Sequence, residues 1–121
     1  TGSPSTQGRY TWSLEKPLSL DGGRLEAALT VGNGIRIDLV QDKKVEIRFR
    51  EGGESLRPAG RGETHVLKKL FQESAVPPWK RDRVPLVYVG NELAVVAGFW
   101  VAEGFKATGN EQGWEIIFTE F

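Results

Sequence analysis

The sequence predicts an α+β domain in which antiparallel β-sheets dominate and one amphipathic helix lies near residues 65–74. Three observations lead to this prediction. Apolar and polar residues alternate with the period of two that is typical of half-buried strands, glycine-rich turns separate these segments, and a single segment has helical periodicity. With 121 residues, 39% of them hydrophobic, the chain fits one domain with one core.

The chain begins with a polar segment. Residues 1–8 are small and polar, and we expect a disordered leader or linker remnant ahead of a single domain over residues 9–121. Tyr10, Trp12 and Leu14 then alternate with polar residues, which predicts the first strand. Because the sequence contains no methionine, we expect the chain to be a piece of a longer protein.

The next segment is predicted to form a three-stranded antiparallel meander. Apolar residues alternate with polar ones over residues 25–31, 35–39 and 45–49. Gly32-Asn33-Gly34 supplies the positive φ angles of a tight hairpin between the first two strands. A turn at residues 41–43 joins the second strand to the third. Such a meander buries one face and exposes the other.

A loop and a helix follow the meander. Residues 50–63 contain four glycines and Pro58, which predicts an exposed loop. Thr64 is expected to cap a helix over residues 65–74, because its hydroxyl can accept hydrogen bonds from amides of the first turn. Pro77 and Pro78 end the helix. The predicted helix has an apolar face of Val66, Leu67, Leu70 and Phe71 and a polar face of Lys68, Lys69, Gln72 and Glu73.

The last third of the chain is predicted to be β-structure. Residues 86–89 and 92–97 flank a Gly90-Asn91 turn, and they are apolar at nearly every position, as in strands that are buried on both faces. Residues 98–101 and 113–119 complete the set of predicted strands.

Charge is balanced over the chain and unbalanced within it. Sixteen Lys and Arg residues match sixteen Asp and Glu residues. Residues 43–83 contain eleven basic and six acidic residues, a net charge of +5, so the remainder has a net charge of −5. One side of such a molecule could attract a polyanion. Chance clustering on a solvated surface explains the charge pattern equally well.

The composition disfavours several classes of protein. The chain has no cysteine and one histidine, His65, so disulfides and thiol catalysis are excluded and a histidine metal cluster is disfavoured. We interpret His65 as a polar surface residue rather than a catalytic base. No apolar run reaches the length of a membrane span, and no signal peptide is recognisable. Residues 52–55, Gly-Gly-Glu-Ser, favour a turn over a phosphate-binding loop, because the helix starts too far downstream.

The basic residues around the helix are the strongest candidates for a binding site. Because the loop, the helix and the segment after Pro78 are consecutive, their cations are expected to converge on one rim that binds phosphates. Trp79 could stack on a base or ribose, although we favour the alternative that it packs over the core beside the prolines. The candidate RNA-binding residues are Arg57, Arg61, Lys68, Lys69, Trp79, Lys80, Arg81 and Arg83.

The same region resembles a known family. The strings that carry the resemblance are residues 57–61 (Arg-Pro-Ala-Gly-Arg), 67–73 (Leu-Lys-Lys-Leu-Phe-Gln-Glu), 76–86 (Val-Pro-Pro-Trp-Lys-Arg-Asp-Arg-Val-Pro-Leu) and 95–101 (Val-Val-Ala-Gly-Phe-Trp-Val). Together they resemble the C-terminal domain of tRNA(Ile)-lysidine synthetase. The resemblance covers residues 49–101, and the flanking segments carry little family signature. Arg57, Arg61, Lys68, Lys69, Arg81 and Arg83 match the family motif, whereas Lys80 is included for its charge.

The resemblance implies a function for a longer protein. Enzymes of that family use ATP, with Mg²⁺ implied, to adenylate the wobble cytidine of a CAU-anticodon isoleucine tRNA, and the amine of free lysine then displaces AMP. This chemistry belongs to an N-terminal domain with a Ser-Gly-Gly-x-Asp-Ser loop, which this sequence does not contain. The resemblance therefore implies a cytoplasmic tRNA-docking domain without catalytic residues or a cofactor of its own, with a fold similar to a β-sandwich module of phenylalanyl-tRNA synthetase.

A protein-interaction module is the rival interpretation. In that case the helix would pack on a partner domain or on a second copy of the chain as a homodimer, and Lys68 and Lys69 would pair with acidic side chains instead of phosphates. An autonomous small enzyme is disfavoured, because no coherent set of catalytic residues is recognisable.

Overall fold

The computed structural model describes residues 10–20, 22–60 and 62–120, so the expected leader at residues 1–8 lies outside the described part of the chain. The described residues form strands and helices in this order: β1 (Tyr10–Thr11), β2 (Leu18–Leu20), β3 (Gly23–Val31), β4 (Ile35–Arg36), α1 (Ile37–Val40), β5 (Val45–Arg48), β6 (Ser55–Leu56), β7 (His65–Val66), α2 (Leu67–Glu73), α3 (Pro78–Arg81), β8 (Leu86–Val89), β9 (Glu92–Val96), β10 (Trp100–Val101) and β11 (Gln112–Glu120). No helix among them is long and apolar enough to cross a membrane.

Two antiparallel sheets share a core. A five-stranded sheet has the order β1-β5-β8-β9-β10, and a four-stranded sheet has the order β2-β3-β11-β4. Ile47 and Val87 of the first sheet pack in one cluster with Leu25 and Ile35 of the second. All four side chains are at most 1% exposed, so apolar burial holds the sheets together. The predicted α+β class with dominant antiparallel sheets is confirmed.

The centre of the five-stranded sheet, at β8 and β9, is buried on both faces. Along β8, Val87 points to the core between the sheets, whereas Leu86 belongs to a second core with Leu70 and Phe71 of α2. The hairpin of β8 and β9 pairs Val89 with Glu92 across the Gly90-Asn91 turn. The predicted hairpin and its burial on both faces are confirmed, and the expected strands near residues 98–101 and 113–119 are present as β10 and β11.

The predicted meander over residues 25–49 is wrong. Strand β4 pairs with β11 and not with β3. Strand β3 also pairs with β11, over the whole length of both strands. The segment between β3 and β4 therefore crosses over β11 at Gly113, where an added Cβ would overlap the carbonyl oxygen of Asn33. Gly32 and Gly34 have φ angles of 74° and 72°, so the glycines serve a crossing connection and not a hairpin.

The second and third strands of that meander also differ from the prediction. Residues 37–40 form one turn of helix, α1, with a hydrogen bond from the Gln41 amide to the Ile37 carbonyl. The Arg36 guanidinium holds the Asp38 carboxylate at 2.8 Å in the first turn, where a negative charge favours a helix. Strand β5 then joins the other sheet, where it lies between β1 and β8.

The helix α2 is shorter than predicted. His65 and Val66 pair with Ser55 and Leu56 as strands β7 and β6, so the helix begins at Leu67. The Leu67 amide donates to the Glu54 carbonyl, and no side chain caps the helix, so the expected cap by Thr64 is wrong. Leu56 and Pro58 are buried, so the segment over residues 50–63 is only partly the exposed loop that was predicted. Helices α1 and α3 were not predicted.

Candidate nucleic-acid interface

The outer face of α2 carries two exposed lysines. Leu67, Leu70 and Phe71 are at most 1% exposed and anchor the helix on the five-stranded sheet. Lys68 and Lys69 lie on the opposite side and are exposed. No described carboxylate lies within ion-pair distance of either ammonium group, so both charges face solvent. The predicted polarity of this helix is confirmed, except that Val66 is 49% exposed and belongs to β7.

A tight turn connects α2 to α3. Ala75 has a φ of 58°, the Val76 amide donates to the Phe71 carbonyl at 2.9 Å, and the Ala75 amide donates to the Gln72 carbonyl at 3.1 Å. This is the left-handed helix end that satisfies the last carbonyls of a helix. Pro77 and Pro78 follow, and Pro78 occupies the first position of α3, where its missing amide hydrogen costs nothing.

Arg81 links the two helices. Its Nε donates to the Val76 carbonyl at 2.9 Å, so its guanidinium is held where α2 ends. A guanidinium carries five N–H donors, and this bond uses one of them. Arg83, two residues later, is exposed, and neither arginine lies within ion-pair distance of a described carboxylate. We call Lys68, Lys69, Arg81 and Arg83 the cationic surface.

Trp79 is exposed, contrary to the favoured sequence interpretation. Its exposed fraction is 74%, the highest among the large hydrophobic side chains of the described residues. Val76 and Val84, on either side of α3, are buried in the second core. None of the four residues of α3 is buried, so this helix does not cover that core.

Lys80 points elsewhere. Its Nζ lies 3.5 Å from Oε1 of Glu120, at the end of β11. The neighbouring Asp82 accepts a hydrogen bond from Nε of Arg50 at 3.2 Å. Both contacts tie α3 to the body of the domain. Lys80 therefore has a carboxylate partner, whereas no described carboxylate lies within ion-pair distance of the four residues of the cationic surface.

The two loop arginines are in different situations. Nε of Arg57 lies 3.8 Å from Oε1 of Glu103, a loose pair in which the Arg57 side chain remains 52% exposed. The Ala59 amide donates to the Val101 carbonyl, so the segment after Arg57 runs along β10 and is not a free loop. Arg61 lies outside the described residues, and its predicted role stays a prediction.

The glycine segment at residues 52–55 is a self-contained turn. The amides of Glu51 and Gly52 donate to the carboxylate of Glu54 at 2.7 Å and 3.0 Å. A carboxylate of the chain thus occupies the amides that an ATP phosphate would need. The residues present do not fit a nucleotide loop.

His65 lies in β7 with a side chain 17% exposed, so it is more buried than the expected surface residue. Its Nε2 lies 3.7 Å from Oε1 of Glu63, and the sequence contains no second histidine. The part of the chain that the structure describes contains no group of three metal-ligating side chains.

One charged cluster, around Glu46, was not among the predicted site residues. Glu46 accepts a hydrogen bond from Nη2 of Arg48 at 2.8 Å, and Nζ of Lys44 lies 3.2 Å from its other oxygen. The bond from Arg48 is the main reason that the pKa of Glu46 lies below its ordinary value. The Arg48 guanidinium lies 4.2 Å from the centre of the Tyr88 ring, and burial raises the pKa of Tyr88. The charges of Lys44, Glu46 and Arg48 therefore pair with one another on the five-stranded sheet.

Comparison with known proteins places these features in a family. The family described as TilS substrate C-terminal domain matches residues 45–118, a longer stretch than the resemblance over residues 49–101. The tRNA(Ile)-lysidine synthase of Coxiella burnetii is 48% identical over 108 residues, which cover 88% of this chain and 24% of that protein. The enzyme of the same name from Methylococcus capsulatus is 48% identical over 96 residues, 78% of this chain and 22% of that protein.

A solved structure matches the fold. The crystal structure of a TilS C-terminal domain aligns with a TM-score of 0.70 at 21% identity, covering 93% of this chain and 98% of that one. The chain spans about a quarter of the length of the curated relatives. The family match covers more than half of the sequence, and it includes the whole cationic surface. The chain therefore belongs to the TilS substrate C-terminal domain family.

Proposed function

We propose that this chain is the tRNA-docking domain of a cytoplasmic tRNA(Ile)-lysidine synthase. The cationic surface would hold the acceptor stem of a CAU-anticodon isoleucine tRNA, so that a separate N-terminal domain reaches the wobble cytidine. The observation that carries the proposal is that Lys68, Lys69, Arg81 and Arg83 are without a carboxylate partner among the described residues. Cations without nearby carboxylates create a positive potential, which raises the local concentration of an anion such as an RNA backbone.

The chemistry of an RNA stem suits such a surface. Double-stranded RNA presents phosphates and 2′-hydroxyls across a shallow minor groove, whereas its major groove is too narrow for side chains. Lysines on a helix can follow a phosphate backbone as point charges, and a guanidinium held at one nitrogen can offer its remaining donors in a fixed direction. Arg57 would add a further phosphate contact, because its pair with Glu103 is long and exposed. Arg61 stays in the proposal on its match to the family motif.

Catalysis is assigned to the part of the enzyme outside this chain. Lysidine formation requires ATP, for which we propose a Mg²⁺-dependent site in the N-terminal domain. The role of this chain is then to position the tRNA body at a distance from the reacting base. Such positioning lowers the entropic cost of bringing the anticodon to the catalytic groups.

The salt dependence of RNA binding tests the proposal. The variant Lys68→Ala/Lys69→Ala should bind a stem-loop RNA more weakly than the wild-type chain. The slope of log affinity against log salt concentration should flatten by about 0.9 for each phosphate contact that is lost. Fluorescence anisotropy of a labelled RNA over a range of KCl concentrations measures both quantities.

Lys43→Ala is the matched control. Lys43 is exposed and precedes β5, near the turn whose Gly90 amide donates to the Lys44 carbonyl. The other end of β5 leads to Arg50, which contacts Asp82 at the end of α3. The loss of Lys43 should leave the slope unchanged. If the double variant keeps its RNA affinity and instead changes its sedimentation as a monomer or dimer, the protein-interaction module is the correct function.

A further inference from the structure

Trp79 is an exposed aromatic residue in the same short segment as Arg81 and Arg83 of the cationic surface. Trp79 is 74% exposed, whereas large aromatic side chains are mostly buried in a folded domain. None of the ring contacts among the described residues involves it, and no described cation lies over its ring. The indole therefore contributes little to the fold, and its faces are open to a ligand.

The turn that carries Trp79 is rigid. Pro77 and Pro78 fix two φ angles before it, and the Lys80 amide donates to the Pro77 carbonyl at 2.9 Å. The hydrogen bond from Arg81 to the Val76 carbonyl anchors the turn from the other side. Because the backbone is already ordered, a ligand that stacks on the indole pays little conformational entropy.

Arg83 lies four residues after Trp79, just beyond α3. The helix ends at Arg81, and the Arg83 amide donates to the Lys80 carbonyl at 3.0 Å, so the backbone stays ordered up to Arg83. Arg83 is exposed, and no described carboxylate lies within ion-pair distance of it, whereas Lys80 pairs with Glu120. One short ordered segment thus offers an exposed aromatic ring and an exposed guanidinium, a combination that suits a base and its phosphate.

In an RNA stem, few bases expose a face on which the projecting indole of Trp79 could stack. Within the duplex, both faces of each base pair are covered by the neighbouring pairs, and the major groove does not admit side chains. A bare base face exists where the stem ends, on the terminal pair or on an unpaired nucleotide that continues it.

We propose that Trp79 stacks on the exposed base at an open end of an RNA stem while Arg83 holds the adjoining phosphate, so that the domain binds the end of a duplex in preference to its middle. This inference rests on the proposed function and adds the feature of the RNA that is recognised. Trp79 is then a specificity residue, and the lysines of α2 supply affinity for the backbone.

Two RNAs that share one stem test the inference. The first is a hairpin with one open end and one compact tetraloop, and the second is a dumbbell in which the same tetraloop closes both ends and its stacked bases cover each terminal pair. The wild-type chain should bind the hairpin more tightly. Trp79→Leu should weaken hairpin binding by roughly 5- to 150-fold, the range measured when a stacking aromatic is removed, and leave dumbbell binding unchanged. A 2-aminopurine at the open end should be quenched by the wild-type chain and much less by Trp79→Leu.

Leu29→Ala is the matched control, since Leu29 is an exposed apolar residue, 64% accessible, on β3. It should change the affinity for neither RNA. If Trp79→Leu weakens the binding of both RNAs equally, end recognition is overturned and RNA docking remains. The same conclusion follows if the variant weakens the binding of neither RNA. If the wild-type chain shows no salt-dependent binding to either RNA, the proposed function fails and this inference fails with it.

Discussion

Ala75 has a φ of 58°, a left-handed conformation that glycine adopts freely and alanine does not. The conformation ends α2 and turns the chain toward Pro77, so it determines where α3 and the cationic surface lie. The hydrogen bonds of Val76 and Ala75 to the last turn of α2 offset the strain of this residue.

Ala75→Gly should raise the free energy of unfolding by up to about 1 kcal/mol, because relief of the strain exceeds the added flexibility of the unfolded chain. Urea denaturation measures the change. Ala28→Gly, in the extended strand β3, should lower the stability by about 0.5–1 kcal/mol. A loss of stability in both variants would show that Ala75 carries no strain.

Phe71 joins α2 to the five-stranded sheet. Its side chain is 0% exposed and contacts the rings of Phe99 and Trp100, with centroids 5.9 Å and 5.8 Å away. Phe71→Ala should cost about 3–5 kcal/mol, the range for deleting a buried ring. Phe99→Ala should cost clearly less, because Phe99 is 42% exposed. Thermal unfolding of the two variants makes the comparison, and equal losses would contradict the assigned burial.

Strand β11 organises the four-stranded sheet. It pairs with β3 on one edge and with β4 on the other, although β3 and β4 are separated by three residues in the sequence. The connection between them crosses over Gly113, where only a hydrogen side chain leaves room for the Asn33 carbonyl.

Gly113→Ala should therefore destabilise the domain by about 1–3 kcal/mol, the usual cost of forcing extra volume into a packed position. Equilibrium unfolding in urea measures the loss. Glu115→Ala, on an exposed position of the same strand, should change the stability by less than about 0.5 kcal/mol. A neutral Gly113→Ala variant would mean that the connection can move away from β11.

Over the whole molecule, opposite charges are partly segregated. The segment over residues 43–83 has a net charge of +5 and contains the cationic surface, whereas the rest of the chain has a net charge of −5. Ion pairs such as those of Glu46 lie within the basic segment and neutralise part of it. Among the described residues of this segment, Lys43, Lys68, Lys69, Arg81 and Arg83 have no carboxylate within ion-pair distance, and four of these five belong to the cationic surface.

Glu46 should make stability depend on pH in the acidic range. Its pKa in the folded state lies below the ordinary value of 4.5, so its contribution is complete above that value and is lost as the pH falls through the folded pKa. Glu46→Gln should be less stable than the wild type at pH 7, and its stability should fall less steeply below about pH 4.5. Urea denaturation at several pH values measures both effects.

Asp38→Asn is the comparison for Glu46→Gln. The pKa of Asp38 is also lowered, by its hydrogen bond to Arg36, but the pair is exposed. Solvent screens such pairs, so this variant should alter the pH dependence much less. Parallel pH profiles of the Glu46→Gln variant and the wild type would contradict the assigned role of Glu46.

Features that depend on a few neighbouring residues were readable from the sequence. The hairpin of β8 and β9, the apolar face of α2, the exposed Lys68 and Lys69 and the family motif were all predicted. Side-chain periodicity follows from backbone geometry within a strand or a helical turn, and it requires no knowledge of the partner.

Features that depend on distant partners became visible in the folded chain. Ile35 pairs with Trp114, Lys80 reaches Glu120, and residues 65–66 form a strand because they meet residues 55–56. Trp79 is exposed, whereas Val76 and Val84 on either side of α3 are buried in the core. A strand of alternating residues can pair with any compatible edge, so long-range packing chooses the partner, and that choice determines which cations and which aromatic ring face the solvent.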